Sequence, residues 1–393
     1  METAKAPRIQ GYVINSASFV AQFAIQMVNL ALVYYLRLHF NLSAQMIGLS
    51  AGIYTAAYFV FCIVLGPLNR HIRPRHSVEL AVLGMALAVL IVIITEKVFV
   101  VFMALIAYGF FMSFLWPQIE TWFARGKEGR ELNRATSAFN VSWSLGAALS
   151  PLLTGFLVTI DSVIPLKIAI ALFCSVYILI FVATHLVPEI KAVASENVAI
   201  AESNQIDQST PLRFLSWAQV VTIYISMAVT MTIFPLFALD FLPFTESAVG
   251  TLLLMRGLVT VLMFVILGKT SWWHFNRKLI VAVLISSSLL FFVGTKIVSF
   301  AAYSLFFLLF GILFSFSYSF SIFHGASGAI HRSNRMLIHE ALLTLGNITG
   351  SIMGGTLYEK FSYTTVLYAC SIFVLLPVLS TLVVQLYKKG ARK

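Results

Sequence analysis

The sequence predicts an all-α membrane protein of about twelve transmembrane helices, arranged as two pseudo-symmetric six-helix bundles. Three observations predict it: a strongly apolar composition, twelve apolar runs of spanning length, and a repeat that relates the two halves. Of the 393 residues, 60% are hydrophobic and only 10% are charged. A soluble domain carries roughly 25% charged residues. This much apolar surface requires lipid as its solvent, and the 34 phenylalanines suit a lipid-facing surface because they bring no polar group that needs a partner.

A membrane helix needs about 20 mostly apolar residues. Runs of that kind fall at 11–37, 44–68, 77–95, 97–123, 134–160, 165–187, 215–240, 246–268, 278–294, 297–323, 335–358 and 363–386. The polar N-terminal stretch leads into the first run with no A-x-A-like cleavage site, so that run is read as a retained helix. Residues 188–213 form the longest polar stretch and read as a cytoplasmic linker between halves at 1–187 and 214–393. With both termini inside, the cytoplasmic segments hold 20 basic residues and the opposite side only five: Arg37, Lys97, Lys167, Lys296 and Lys360. Positive charge collects on the cytoplasmic side of membrane proteins, so this bias predicts cytoplasmic termini. It also accounts for the net charge of +11 through an anionic lipid leaflet, without nucleic acid.

Sliding the second half onto the first by 202 residues brings Gly48, Gly66 and Gly109 onto Gly250, Gly268 and Gly311. Further on the offset becomes 200, and Gly146, Pro151 and Gly155 meet Gly346, Ser351 and Gly355. Two parallel repeats joined by a linker are the construction of a rocking transporter, with substrate bound between the halves near the bilayer midplane.

Several side chains bear on chemistry. Asn15, Ser18, Gln22, Gln26 and Asn29 follow one another at steps of three and four, so they share one face of the first helix. That face either lines a cavity or bonds to neighbouring helices. Thr222, Ser226 and Thr230 repeat the pattern in the seventh run, and Ser315, Tyr318 and Ser319 occupy the tenth. Arg256 lies near the middle of the eighth run, ~15 Å or more from either end at the helical rise of ~1.5 Å per residue. A guanidinium at that depth costs about 2.5–3.5 kcal/mol or more, so it needs an anionic substrate group or a buried carboxylate. Glu120 and Glu340 are the two acids well within helices. Glu120 follows Trp116 by one turn and is the candidate proton-coupling site, because burial raises a carboxylate's affinity for protons. Glu340 and His339 lie near the cytoplasmic entry, where Glu340 is expected to pair with Arg70 or Arg73 as part of a gate.

Gly66-Pro67-Leu68-Asn69-Arg70-His71-Ile72-Arg73-Pro74-Arg75 resembles the signature loop of the major facilitator superfamily, although no Asp is present. Gly146, Ser150, Pro151, Thr154 and Gly155 are similar to that family's antiporter motif, and Gly346, Gly350, Ser351, Gly354 and Gly355 repeat the spacing. Small residues one turn apart let helices approach closely, and Pro151 adds a kink. The resemblance implies that the first, fourth, seventh and tenth helices line the cavity, which adds Trp116 and Tyr318 to Asn15, Gln22, Gln26, Asn29 and Arg256 as substrate-binding candidates. It further implies a monomer working as a secondary active transporter. The antiporter motif points to export.

No GxxxxGK[ST] motif occurs, so the drive is expected to be an ion gradient, most plausibly protons. Export of a small organic solute leads. Import of a sugar or organic anion is the alternative, and a non-transporting sensor or lipid-moving protein on the same fold is the third reading. His324, His331 and His339 flank one loop without an acid ligand set, so neither an enzyme nor a metal site is expected, and no cofactor. The expected location is a prokaryotic plasma membrane.

Overall fold

The computed structural model describes residues 6–66, 72–124, 129–186, 207–329 and 332–390. Most of the proposed linker, and Arg70, lie outside these residues. The regular structure among them is helical throughout. The first half contains α1 (Ala6–Leu38), α2 (Ala44–Val64), α3 (Pro74–Ile94), α4 (Val98–Met112, resuming as Trp116–Ala124), α5 (Gly129–Val158) and α6 (Val163–Leu186). The second contains α7 (Leu212–Phe241), α8 (Glu246–Lys269), α9 (Arg277–Gly294), α10 (Phe300–Ala326), α11 (Arg332–Lys360) and α12 (Tyr363–Gly390). Each coincides with one expected run. Among the described residues, ten are long and apolar enough to cross a membrane, and Tyr363–Leu379 of α12 is a further apolar helix. The remaining helix, α11, carries Glu340, Asn347 and Glu359 along its length.

Short polar turns start the helices. Ser43, Thr245, Asn276 and Ser299 each accept a hydrogen bond from the backbone N–H three residues on, which caps α2, α8, α9 and α10. The break in α4 was not expected. Pro117 has no N–H to give, the Ser113 N–H is shared between the Gly109 and Phe110 carbonyls, and the N–H groups of Phe114 and Leu115 bond three residues back, to Phe111 and Met112. This tight turn redirects the segment that carries Trp116 and Glu120.

Packing follows the two halves. One core gathers Tyr35, Met85, Leu105, Tyr108 and Phe173 from the first six helices. The other gathers Phe234, Phe291, Phe307, Phe310 and Cys370 from the last six. Within it, the Phe234 ring lies 4.9 Å from Phe307 and 5.1 Å from Tyr303, centroid to centroid. Leu80, Leu83, Leu87, Leu90 and Ile94 form an exposed stripe along α3, suited to lipid contact.

The halves meet along α5 against α8 and α2 against α11, and this contact closes one end of the molecule. A Cβ at Gly155 would overlap the Glu246 carbonyl oxygen, and one at Gly250 the Pro151 carbonyl oxygen. Gly48 stands in the same relation to Ser351, and Gly355 to Ala44. At this far end Arg37 pairs with Asp240 at 3.2 Å, and the Ala44 N–H donates to Glu359 Oε2 at 2.9 Å. Leu30 and Tyr34 of α1 are buried in the second half's core. The opposite, near end carries the start of α1 and the end of α12. The glycine contacts between the halves run to Gly52 with Ile352 and Gly257 with Ala148, and beyond them Glu120, Arg134, Leu337 and Glu340 are exposed, which marks an open cleft.

Candidate functional site

A cavity of about 280 Å³ lies between the halves, just inside the far-end seal. From the first half, α1 presents Gln22, Gln26 and Asn29, and α5 presents Trp143 and Ser144. Asn29 Oδ1 accepts a hydrogen bond from the Tyr54 hydroxyl at 3.0 Å, while Gln26 Oε1 is buried with no partner. From the second half, α7 presents Tyr224, Met227 and Met231, α8 presents Arg256 and Thr260, and α11 presents Asn347. The wall is thus amide-rich on one side and sulfur- and aromatic-rich on the other.

Arg256 is the single charged residue among those lining the cavity. It is 5% exposed. One terminal guanidinium nitrogen lies 3.3 Å from the Met227 sulfur, a weak acceptor, and Nε has no partner. Of the two compensations expected for it, a buried carboxylate is absent among the described residues.

Glu120 of α4 and Glu340 of α11 are both exposed to the near-end cleft, below the cavity, and lie within electrostatic range of each other. Tyr58 of α2 and Tyr318 of α10 feel both carboxylates. The expected pairing of Glu340 with Arg73 is not made: Arg73 stands exposed at the start of α3 and Glu340 faces open cleft. His339 also departs from expectation. It is buried inside the second half, with Nδ1 2.8 Å from Ser321 Oγ and its ring 5.2 Å from that of Tyr318.

Other candidates are displaced from the cavity. Trp116 packs its ring 6.3 Å from Phe139 because the α4 break turns it toward α5. Asn15 and Tyr318 are half-buried and do not line the cavity. The hydroxyls of Ser18, Thr222, Ser226, Thr230 and Ser315 bond carbonyls of their own helices. A short hydroxyl does this readily, so it leaves no donor free for a solute.

The glycine motifs are packing devices on both sides of the site. Gly146 lets α5 approach Phe19 of α1, and Ser150 Oγ donates to the Phe23 carbonyl at 2.7 Å. Gly346, Gly350 and Gly354 admit α7 at Val221, Ile225 and Val229, while Gly355 faces α2. A single helix, α11, therefore binds its own half on one face and the opposite half on another.

Twelve helices in two bundles, ten of them long and apolar enough to cross a membrane, with a cavity between the bundles sealed at one end, define a membrane-transporter fold. The chain belongs to the Major Facilitator Superfamily, whose family model matches residues 14–331. No curated protein matches the sequence. Among solved structures, a bacterial homolog of the human lysosomal transporter Spinster, in its inward-facing and occupied conformation, is similar with a TM-score of 0.73 at 10% identity, over 94% of each chain. A POT family transporter in complex with 5-aminolevulinic acid gives 0.76 at 11% identity over 96% of each chain. The nucleoside transporter NupG gives 0.72 at 13% identity, over 95% of this chain and 98% of its own. At these identities the likeness concerns the fold.

Proposed function

We propose that this chain is a secondary active transporter that moves a small organic solute across the cell membrane by alternating access. The observation that carries this reading is the position of the cavity, between two halves that touch at the far end and part at the near end. Rocking the halves about it would exchange one access for the other. In this reading the rocking bodies are 1–187 and 214–393, and one chain is sufficient. The excess of basic residues in the near-end segments makes that end cytoplasmic, so the conformation is inward-facing.

Protons are the proposed coupling ion. Glu120 and Glu340 face one cleft from opposite halves, and closing that cleft would bring their charges together unless a proton is taken up. The resemblance of the α5 small-residue motif to the family's antiporter motif favours export. Import of an organic anion is the second reading, favoured by the unpaired Arg256. The test is solute-dependent proton flux in proteoliposomes under an imposed pH gradient. The proposal expects at least one small solute to dissipate the gradient in wild type, and the flux to be lost in Glu120→Gln. Proton flux that ignores every solute, or survives in that variant, would count against the coupling.

A further inference from the structure

We infer that the central cavity binds a small organic anion, with a carboxylate held by Arg256 and an apolar or aromatic body against the second half's sulfur and aromatic wall. This rests on the transporter reading for its physiological sense, although binding itself does not require transport. Arg256 is 95% buried, and its guanidinium carries five donors. The Met227 sulfur at 3.3 Å is the acceptor within reach, and Nε has none. A structural arginine in an apolar core is held by a carboxylate or by several carbonyls. This one has neither among the described residues, and it opens on a cavity instead. Tyr224 is the ionisable neighbour whose charge it feels, and a tyrosine is neutral near pH 7. The near-end acids Glu120 and Glu340 lie outside the cavity lining.

The planar fork of arginine matches a carboxylate in two parallel hydrogen bonds. Gln22, Gln26 and Asn29 of α1 line the same cavity and bring side-chain amides, so a ligand with a polar group away from its carboxylate would find partners there. Met227, Met231, Phe264 and Phe314 supply the apolar surface between. Methionine adapts to irregular shapes, which suits a body of variable outline. The volume of about 280 Å³ limits the solute to a compact molecule, of the size of an aromatic acid.

The experiment measures binding to the purified full chain, by calorimetry and by ligand-dependent melting temperature. The probes are phenylacetate, benzoate and lactate, each paired with its neutral amide, and tetraphenylphosphonium serves as a cationic probe. Wild type is expected to bind at least one carboxylate at least tenfold more tightly than its amide. Arg256→Lys should weaken that carboxylate, and Arg256→Gln should abolish the preference for the acid over its amide. The carboxylate–amide contrast in wild type stands even if Arg256→Gln fails to fold. Equal binding of acid and amide, tighter binding of the cation, protection by chloride alone, or no carboxylate binding in the millimolar range each overturns the inference. So does an undiminished acid preference in a folded Arg256→Gln protein. Carboxylate binding without any solute flux would instead sink the transporter reading and leave this one standing.

Discussion

Glu120 and Glu340, carried by opposite halves, face the same open cleft and feel each other's charge, with no cationic partner among the described residues. Neither needs the other while the cleft is open and wet. Drawing the near ends of α4 and α11 together would concentrate two negative charges in a shrinking, drier space, where like charges disfavour joint ionisation.

Removing one charge should therefore favour closure. Glu120→Gln and Glu340→Gln are each expected to enrich the near-closed state, and acidification of wild type to act in the same direction. Cys62 of α2 is half-buried and close enough to feel both carboxylates, which makes it a native reporter. In a Cys174→Ser background at fixed pH, maleimide labelling of Cys62 should slow several-fold in either glutamine variant. An unchanged or faster rate would show that the two charges do not hold the cleft open.

The far-end seal depends on missing side chains. A Cβ at Gly48 would overlap the Ser351 carbonyl, and one at Gly155 that of Glu246. Overpacking of this kind costs about 1–3 kcal/mol. Gly48→Val and Gly155→Val should destabilise the present conformation by that amount and raise far-end accessibility, read by labelling of an Asn41→Cys reporter. Wild-type labelling and melting temperature in both variants would contradict the proposed tight contact.

Arg37 and Asp240 join the halves at 3.2 Å, and the Tyr358 hydroxyl donates to the same carboxylate at 3.1 Å. The pair is partly exposed, so Asp240→Asn is expected to cost only about 0.2–1 kcal/mol. Its effect should shrink as salt rises from 0.1 to about 1 M, because screening shortens the range of surface charges. Thermal unfolding at the two salt concentrations checks this.

His324 is buried in the second half and accepts the Phe275 N–H on Nε2 at 3.2 Å, so its proton sits on Nδ1 and is given to Ser216 Oγ at 3.0 Å. Phe275 has φ of +50°, a conformation that few side chains adopt without support. His324→Phe removes both bonds and should destabilise the protein by about 1–3 kcal/mol, seen as a lower melting temperature. Substrate binding should be unaltered in the protein that remains folded.

The helices were readable from the sequence because lipid demands long apolar runs with internally bonded backbones, and each described helix falls on such a run. Gln22, Gln26 and Asn29 were also readable, since helical spacing fixes which residues share a face and long amides reach past their own backbone. Ser18 shared that face, yet its hydroxyl turns back to the Ile14 carbonyl at 2.7 Å. Trp116 leaves the expected face for a different reason: periodicity assumes an unbroken helix, and α4 breaks just before it. Pro117 was the available signal. Tyr224, Trp143 and Asn347 line the cavity with no marker in the sequence, because nothing local reveals how a helix is rotated against its neighbours. Gly346 marks the face of α11 that meets α7, and Asn347 follows it at the edge of that contact, on the cavity.

Alternating access is tested most directly by electron–electron distance measurements on spin labels across the two ends of the protein in lipid. One pair would report the near end, at Arg134 and Leu337, and the other the far end, at Asn41 and Ser362. The account predicts two populations that exchange with pH or solute, in which a long near-end distance accompanies a short far-end distance and the reverse. A single fixed distribution at both ends under every condition, or two ends that open together, would contradict it.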